Sequence, residues 1–151
     1  MNAKLCALLL MLTLCGFSNI KPVGRSSSSG TLLVELANFR NNRGKVCVSL
    51  FNQKDAFPKS TEKAVRISYA TIIGFKSFVF FENLPAGEYA VSALHDENDN
   101  KKMDTNILGI PKEGVGASND AKGHLGPPRY QDAKFIFNGS KQTIHIDITY
   151  I

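Results

Sequence analysis

The feature that most constrains this chain is a two-residue alternation of apolar and polar side chains near its end. In QTIHIDITY, Ile144, Ile146, Ile148 and Tyr150 fall on one face of an extended backbone, and His145, Asp147 and Thr149 on the other. A segment of that kind buries one side only, which reads as a half-buried antiparallel strand. The same rhythm recurs in EYAVSALHD, where Tyr89, Val91, Ala93 and His95 alternate with Ala90, Ser92 and Leu94. TLLVELANF, KVCVSLF, AVRISYATI, SFVFFENL and AKFIF are further short runs rich in β-branched and aromatic residues, each bounded by polar turn clusters. No stretch from Thr31 onward sustains a 3.6-residue period. The expectation is therefore an all-β antiparallel sandwich of about seven strands with no obligatory helix, favoured over a closed barrel.

Turn chemistry suggests how the strands connect. RNNRG ends in a permissive glycine and would make TLLVELANF and KVCVSLF a hairpin. AVRISYATI and SFVFFENL are linked around Gly74. In FVFFENLPAGEYAVSALHD, Pro85 sets φ for a turn start and Gly87 permits the reversal, so Leu84 to Gly87 should turn the chain tightly. NGS at Asn138 to Ser140 turns into the last strand, and would be a glycosylation sequon only in a eukaryote.

The amino-terminal part reads differently. Lys4 precedes Leu5 to Leu14, an apolar run too short for the roughly 20 residues of a membrane-spanning helix, and Gly16 and Ser18 are small. Residues 1–18 are expected to be a secretory signal, 19–30 a Ser- and Gly-rich flexible leader, and 31–151 one β-sandwich domain. The product would be exported, to the periplasm or beyond. LTLC resembles a lipobox, so acylation of Cys15, and with it a membrane anchor, is the alternative; Leu14 stands where that motif has a small residue. With Cys6 and Cys15 in the signal, Cys47 is the lone cysteine of the domain and no internal disulfide is possible. It lies within an apolar run and reads as a small buried hydrophobe rather than a reactive thiol. Net charge is +5, but the basic residues are scattered and the longest run is Lys101–Lys102. Nucleic acid, which needs clustered cations, is not an expected partner.

One region breaks the rhythm. Between His95 and Ala133 lie about 36 residues with five glycines, three prolines and little to pack. It begins HDENDNKKMDTN, in which Asp96, Asn98, Asn100 and Asp104 take positions 1, 3, 5 and 9 of a loop that gathers oxygen around a hard cation, with the carbonyl of Lys102 at position 7. Against that pattern, the sixth position holds Lys101 instead of glycine, at a cost of about 1 to 2 kcal/mol if it takes positive φ. The twelfth holds Ile107 instead of a bidentate Glu. A further carboxylate could come from Glu113 folding back through GIPKEG. A weakly bound, structural Ca²⁺ at Asp96, Asn98, Asn100, Lys102, Asp104 and Glu113 is one reading, and a solvated turn of Asx hydrogen bonds is the other. A small metal-dependent hydrolase using His95, Asp96, Glu113 and His124 is a further alternative, although no two histidines stand at a recognised ligand spacing. So is a carrier of a small apolar molecule, which needs a hollow between the sheets. There is no nucleophile elbow or phosphate-cradling loop, and the leading expectation is a non-enzymatic binding or accessory module.

LPAGEYAVSALHDENDNKKMDTNILGIPKEGVGASND, with GPPRYQDAKFIF, GKVCVSLF and AFP, resembles the secreted bacterial family known as domain of unknown function 2141, over about Thr31 to Tyr150. The resemblance implies a transthyretin-like, or carboxypeptidase-regulatory-like, β-sandwich; it implies no activity. The family pattern has glycine where Asp99 and Lys101 stand here.

Overall fold

The computed structural model describes residues 28–124 and 126–151. The proposed signal, Cys15, and nearly all of the proposed leader lie outside the described residues. The strands are β1 (Ser29–Ala37), β2 (Lys45–Phe51), β3 (Arg66–Ala70), β4 (Ser77–Pro85), β5 (Gly87–Asp96), β6 (Gly114–Ala117), β7 (Phe135–Phe137) and β8 (Gln142–Asp147), with one short helix, α1 (Tyr130–Ala133). They form two sheets, as the alternation requires of segments that hide a single face. One has the order β4-β1-β8. The other has the order β3-β2-β5-β6, with β7 also paired to β5. The core between them is built from alternate positions along the strands: Leu32, Val34, Leu36, Val46, Val48, Leu50, Val79, Phe81, Val91, Phe137 and Ile146 are almost wholly buried.

One connection differs from the sequence expectation, and two others cross between the sheets. TLLVELANF and KVCVSLF do not form a hairpin, because β1 pairs with β4 and β8 while β2 pairs with β3 and β5. At Asn38 the backbone takes φ 63°, and buried Phe39 anchors the crossing from one sheet to the other. The turn at Gly74 also crosses between sheets, and so does the one at Pro85 to Gly87, where the Tyr89 hydroxyl donates to the Pro85 carbonyl at 3.0 Å. Turn residues reverse the chain in each case, but the strands they join do not pair. The last strand is likewise not antiparallel to its neighbour: β8 lies parallel to β1, with Val34 opposite Ile144 and Leu36 opposite Ile146.

The region read as structureless is only partly so. It contributes β6 on the edge of β5, whose sequence GVGA carries no strand signal. A β-carbon on Gly114 would collide with Ile148 and Tyr150, so closeness to β8 demands glycine there. Further on, Tyr130 and Ala133 of α1 join Phe51, Ala56, Phe57, Ala90 and Ala117 in a second apolar cluster on the outer face of the larger sheet. Ser118 ties this layer down by donating to the Ala133 carbonyl at 2.6 Å and accepting from the Val91 amide at 2.9 Å. What remains as a true excursion is Glu97 to Glu113.

Candidate functional site: the loop after β5

The loop begins where β5 stops being apolar. Asp96 ends the strand fully buried, and its carboxylate accepts the backbone amides of Asn100 at 3.0 Å and Lys101 at 2.7 Å. Asn98 Oδ1 also reaches the Asn100 amide at 3.2 Å, and Asn100 Oδ1 accepts from the Lys102 amide at 2.8 Å. These are Asx turns, in which a short polar side chain imitates a backbone turn. Winding the chain this tightly puts Asp99 at φ 57° and Lys101 at φ 62°, the left-handed region in which a β-carbon is strained.

The remaining polar groups face one another. Asn98 Nδ2 donates to Asp104 Oδ2 at 2.7 Å and Asn100 Nδ2 to Asp104 Oδ1 at 3.1 Å, so three of the four singled-out side chains meet at the Asp104 carboxylate, while Asp96 is taken up by backbone amides. Glu113 does fold back to the loop. It is buried, and its two oxygens accept the amides of Glu97 at 2.9 Å and Asp104 at 3.0 Å, which staples the start of the loop to its middle. Lys102 contributes its amide as a donor to Asn100.

A second network braces the base. His95 is buried, with Nε2 donating to the Arg43 carbonyl at 2.8 Å, so Nδ1 accepts from the Tyr150 hydroxyl at 2.6 Å. That hydroxyl in turn accepts the Arg40 amide at 3.0 Å, and burial pushes its pKa up. The Arg40 guanidinium lies over the Tyr150 ring, 4.6 Å from its centre, and donates to the Lys112 carbonyl at 3.1 Å. It also pairs with Glu97 Oε1 at 2.6 Å, off the axis of a hydrogen bond. Burial by itself raises the Glu97 carboxyl, but the Asn41 amide and the Arg40 guanidinium outweigh it and hold the group below its ordinary range. Gly44 completes the base, because a β-carbon there would strike the Asp96 carbonyl. Arg40, Asn41, Gly44 and Tyr150 carried no signal toward this site in the sequence, since only the packing of distant segments brings them to it.

The hydrolase constellation does not assemble. Both ring nitrogens of His95 are engaged, which leaves no lone pair for a metal in either protonation state. His124 is exposed beyond the far end of β6, on the side where its charge helps Arg129 hold the Asp132 carboxyl down. Among the described residues, no group of three or more His, Cys, Asp or Glu side chains is placed to hold a metal ion. An oxygen site that includes Asn amides and a carbonyl is a different donor set, and the residues present fit it in kind. Asp96 and Asp104 supply carboxylates, and each Asn oxygen keeps a second lone pair beyond the one turned to the backbone. To present those oxygens to an ion, Asn98 and Asn100 must exchange their amide contacts with Asp104 for ion contacts.

Two surface hollows of about 150 and 330 Å³ lie around Lys76 and Phe78, one lined by the β4-β1-β8 sheet together with Lys76 and the other by the β3-to-β4 corner. Cys47 is half-buried on the outer face of β2, and burial raises its thiol pKa, which disfavours the nucleophilic thiolate.

Comparison with known proteins bears on the chain as a whole. No curated protein and no solved structure matches it. A family model does, across residues 34–145, from the middle of β1 to the middle of β8 and so through both sheets and the whole loop. The chain belongs to the family described as "Uncharacterized protein conserved in bacteria (DUF2141)".

Proposed function

We propose that this protein is an exported, non-enzymatic binding or accessory module, a sandwich of the transthyretin-like kind whose long loop is stiffened by a hard cation such as Ca²⁺. Asp96, Asn98, Asn100, Asp104 and the Lys102 carbonyl would hold the ion, with Glu113 bracing the loop around it. The observation that carries the reading is the convergence of Asn98 and Asn100 on the Asp104 carboxylate, in a loop whose Asn100 and Lys101 amides are held by the buried Asp96. Asn98 and Asn100 turn their amide groups to the Asp104 carboxylate, and exchanging those Nδ2 contacts for an ion would gather oxygen donors from one short loop, which is what a hard cation needs. Two carboxylates and two amides imply weak affinity, about 10⁻⁴ to 10⁻³ M, as in extracellular modules. Anchoring through acylated Cys15 is the alternative to free export, and the mass of the mature chain distinguishes the two.

The test is calorimetric titration of the protein with Ca²⁺, Mg²⁺ and Zn²⁺, beside thermal melts in excess cation and in chelator. An ion that binds the folded chain alone must raise Tm. Ca²⁺ is expected to raise it and Asp104→Ala to remove the shift. Identical melts with every cation and with chelator would leave a loop closed by Asx turns alone.

A further inference from the structure

The far end of the same loop has a different character. Asn106 to Ile110, NILGI, forms a small turn with Ile107 102% and Leu108 77% exposed, and Met103 (47%) and Ile110 (38%) beside them. Soluble surfaces carry single exposed apolar residues without consequence, but Ile107, Leu108 and Ile110 within one five-residue turn are a patch. The tip is also rigid. Asn106 Oδ1 accepts the amides of Leu108 at 2.9 Å and Ile110 at 3.0 Å, its own amide donates to the Ile110 carbonyl at 2.9 Å, and its carbonyl accepts from Gly109 at 3.0 Å. Below it, Lys112 donates to the Asp104 carbonyl at 2.8 Å. The backbone donors of the turn are thus largely satisfied within it, so the turn can leave water without stranding these N–H groups.

Charge then separates the possible occupants. Lys101, Lys102 and Lys112 stand exposed below the tip, with exposed Asp99 and half-buried Asp104 near them in the chain, and the tip itself, residues 105–111, carries no carboxylate. An apolar crown with satisfied backbone, collared by lysines, has the polarity of an interfacial insertion: side chains among acyl chains, ammonium groups at the headgroups. A protein pocket complementary to the crown would supply the apolar part but gives no reason for the collar. We infer that this loop tip is a peripheral membrane-contact site that inserts Ile107 and Leu108 into a bilayer surface rich in anionic phospholipid. Attachment through the tip alone would be reversible, since a few side chains and a lysine collar give far less anchorage than a spanning helix. The inference stands on the tip and its Asn106 bonds, and holds whether or not the loop binds a cation.

The chain contains no tryptophan, so a single Trp reports its own surroundings. Leu108→Trp and, as a comparison on the outer face of β4, Phe80→Trp are made in the full chain, both at exposed positions that tolerate the change. Each is mixed with vesicles of phosphatidylcholine alone or with phosphatidylglycerol, carrying brominated acyl chains. The expected result is a blue shift and strong quenching for Leu108→Trp with the anionic vesicles and neither for Phe80→Trp. Replacing Lys101 and Lys102 by Ser in the Leu108→Trp chain should weaken partitioning on the order of tenfold. Absence of quenching at Leu108→Trp overturns the inference, and so does equal quenching at the two positions, which would mean attachment through another part of the chain. Equal response to neutral and anionic vesicles overturns it too, as does a concentration-dependent blue shift without lipid, the mark of a protein occupant or a second copy.

Discussion

Along β5 the chain passes from one way of being held to another. At its beginning Tyr89, Val91 and Ala93 are fixed by contact with apolar neighbours from both sheets. At its end His95 and Asp96 are just as buried, but each is held by hydrogen bonds to backbone or hydroxyl groups, and beyond them the loop is built almost wholly in that way. The apolar part is cooperative, because every side chain removed leaves a void that its neighbours share. In the loop, stability is local and polar, supplied by carboxylates and amides that each secure a particular N–H. The two halves should therefore respond differently to damage. A lesion in the sandwich should weaken all of it, and one in the loop should free the loop.

The largest effect is expected from Leu50→Ala, at a wholly buried position in β2. It should cost about 3 kcal/mol, read as a lower urea midpoint at unchanged slope, and should lower hydrogen-exchange protection across both sheets. Asp96→Ala strips two amides of a charged acceptor and should cost about 2 kcal/mol locally. Its signature is rapid exchange confined to residues 97–113, and exchange spreading evenly through β1 and β8 would erase the distinction between the two regions. Lys101→Gly works the other way. With φ at 62°, relief of backbone strain should outweigh the added freedom of the unfolded chain and raise stability by about 0.5 kcal/mol, read as a higher Tm. The smallest effect is in pH. Because the folded Glu97 carboxyl titrates below its ordinary value of 4.5, its contribution is complete above that value and disappears as pH falls through the lowered one. Glu97→Gln should flatten that acid limb of the stability profile while leaving the region near neutral pH little changed.

How much of this could be read from the chain varies with the range of the interaction. Ile144, Ile146 and Ile148 declare an inward face because period-two alternation is a property of a single extended segment. The Asx turns at Asn98, Asn100 and Asn106 are similarly local, each side chain reaching a backbone amide a few residues on. Glu113 returns to the loop as the spacing suggested, but it meets the backbone amides of Glu97 and Asp104. β6 could not be seen, because two glycines and two small apolar residues have no pattern of their own. The long-range partners of the loop base, Arg40, Asn41 and Tyr150, were equally invisible.

By itself the sequence determined where most of the chain is extended, which residues share a face in β5 and β8, and that Asp96, Asn98, Asn100 and Asp104 lie in one polar loop, since all three depend on residues close along the backbone. Tertiary structure decided which sheet each strand joins, that β8 runs parallel to β1, and that His95 braces the loop instead of serving a metal. The reason is that strands pair through backbone groups that every residue shares, so a strand carries little address for its neighbour until the burial of all the inward faces together selects one arrangement.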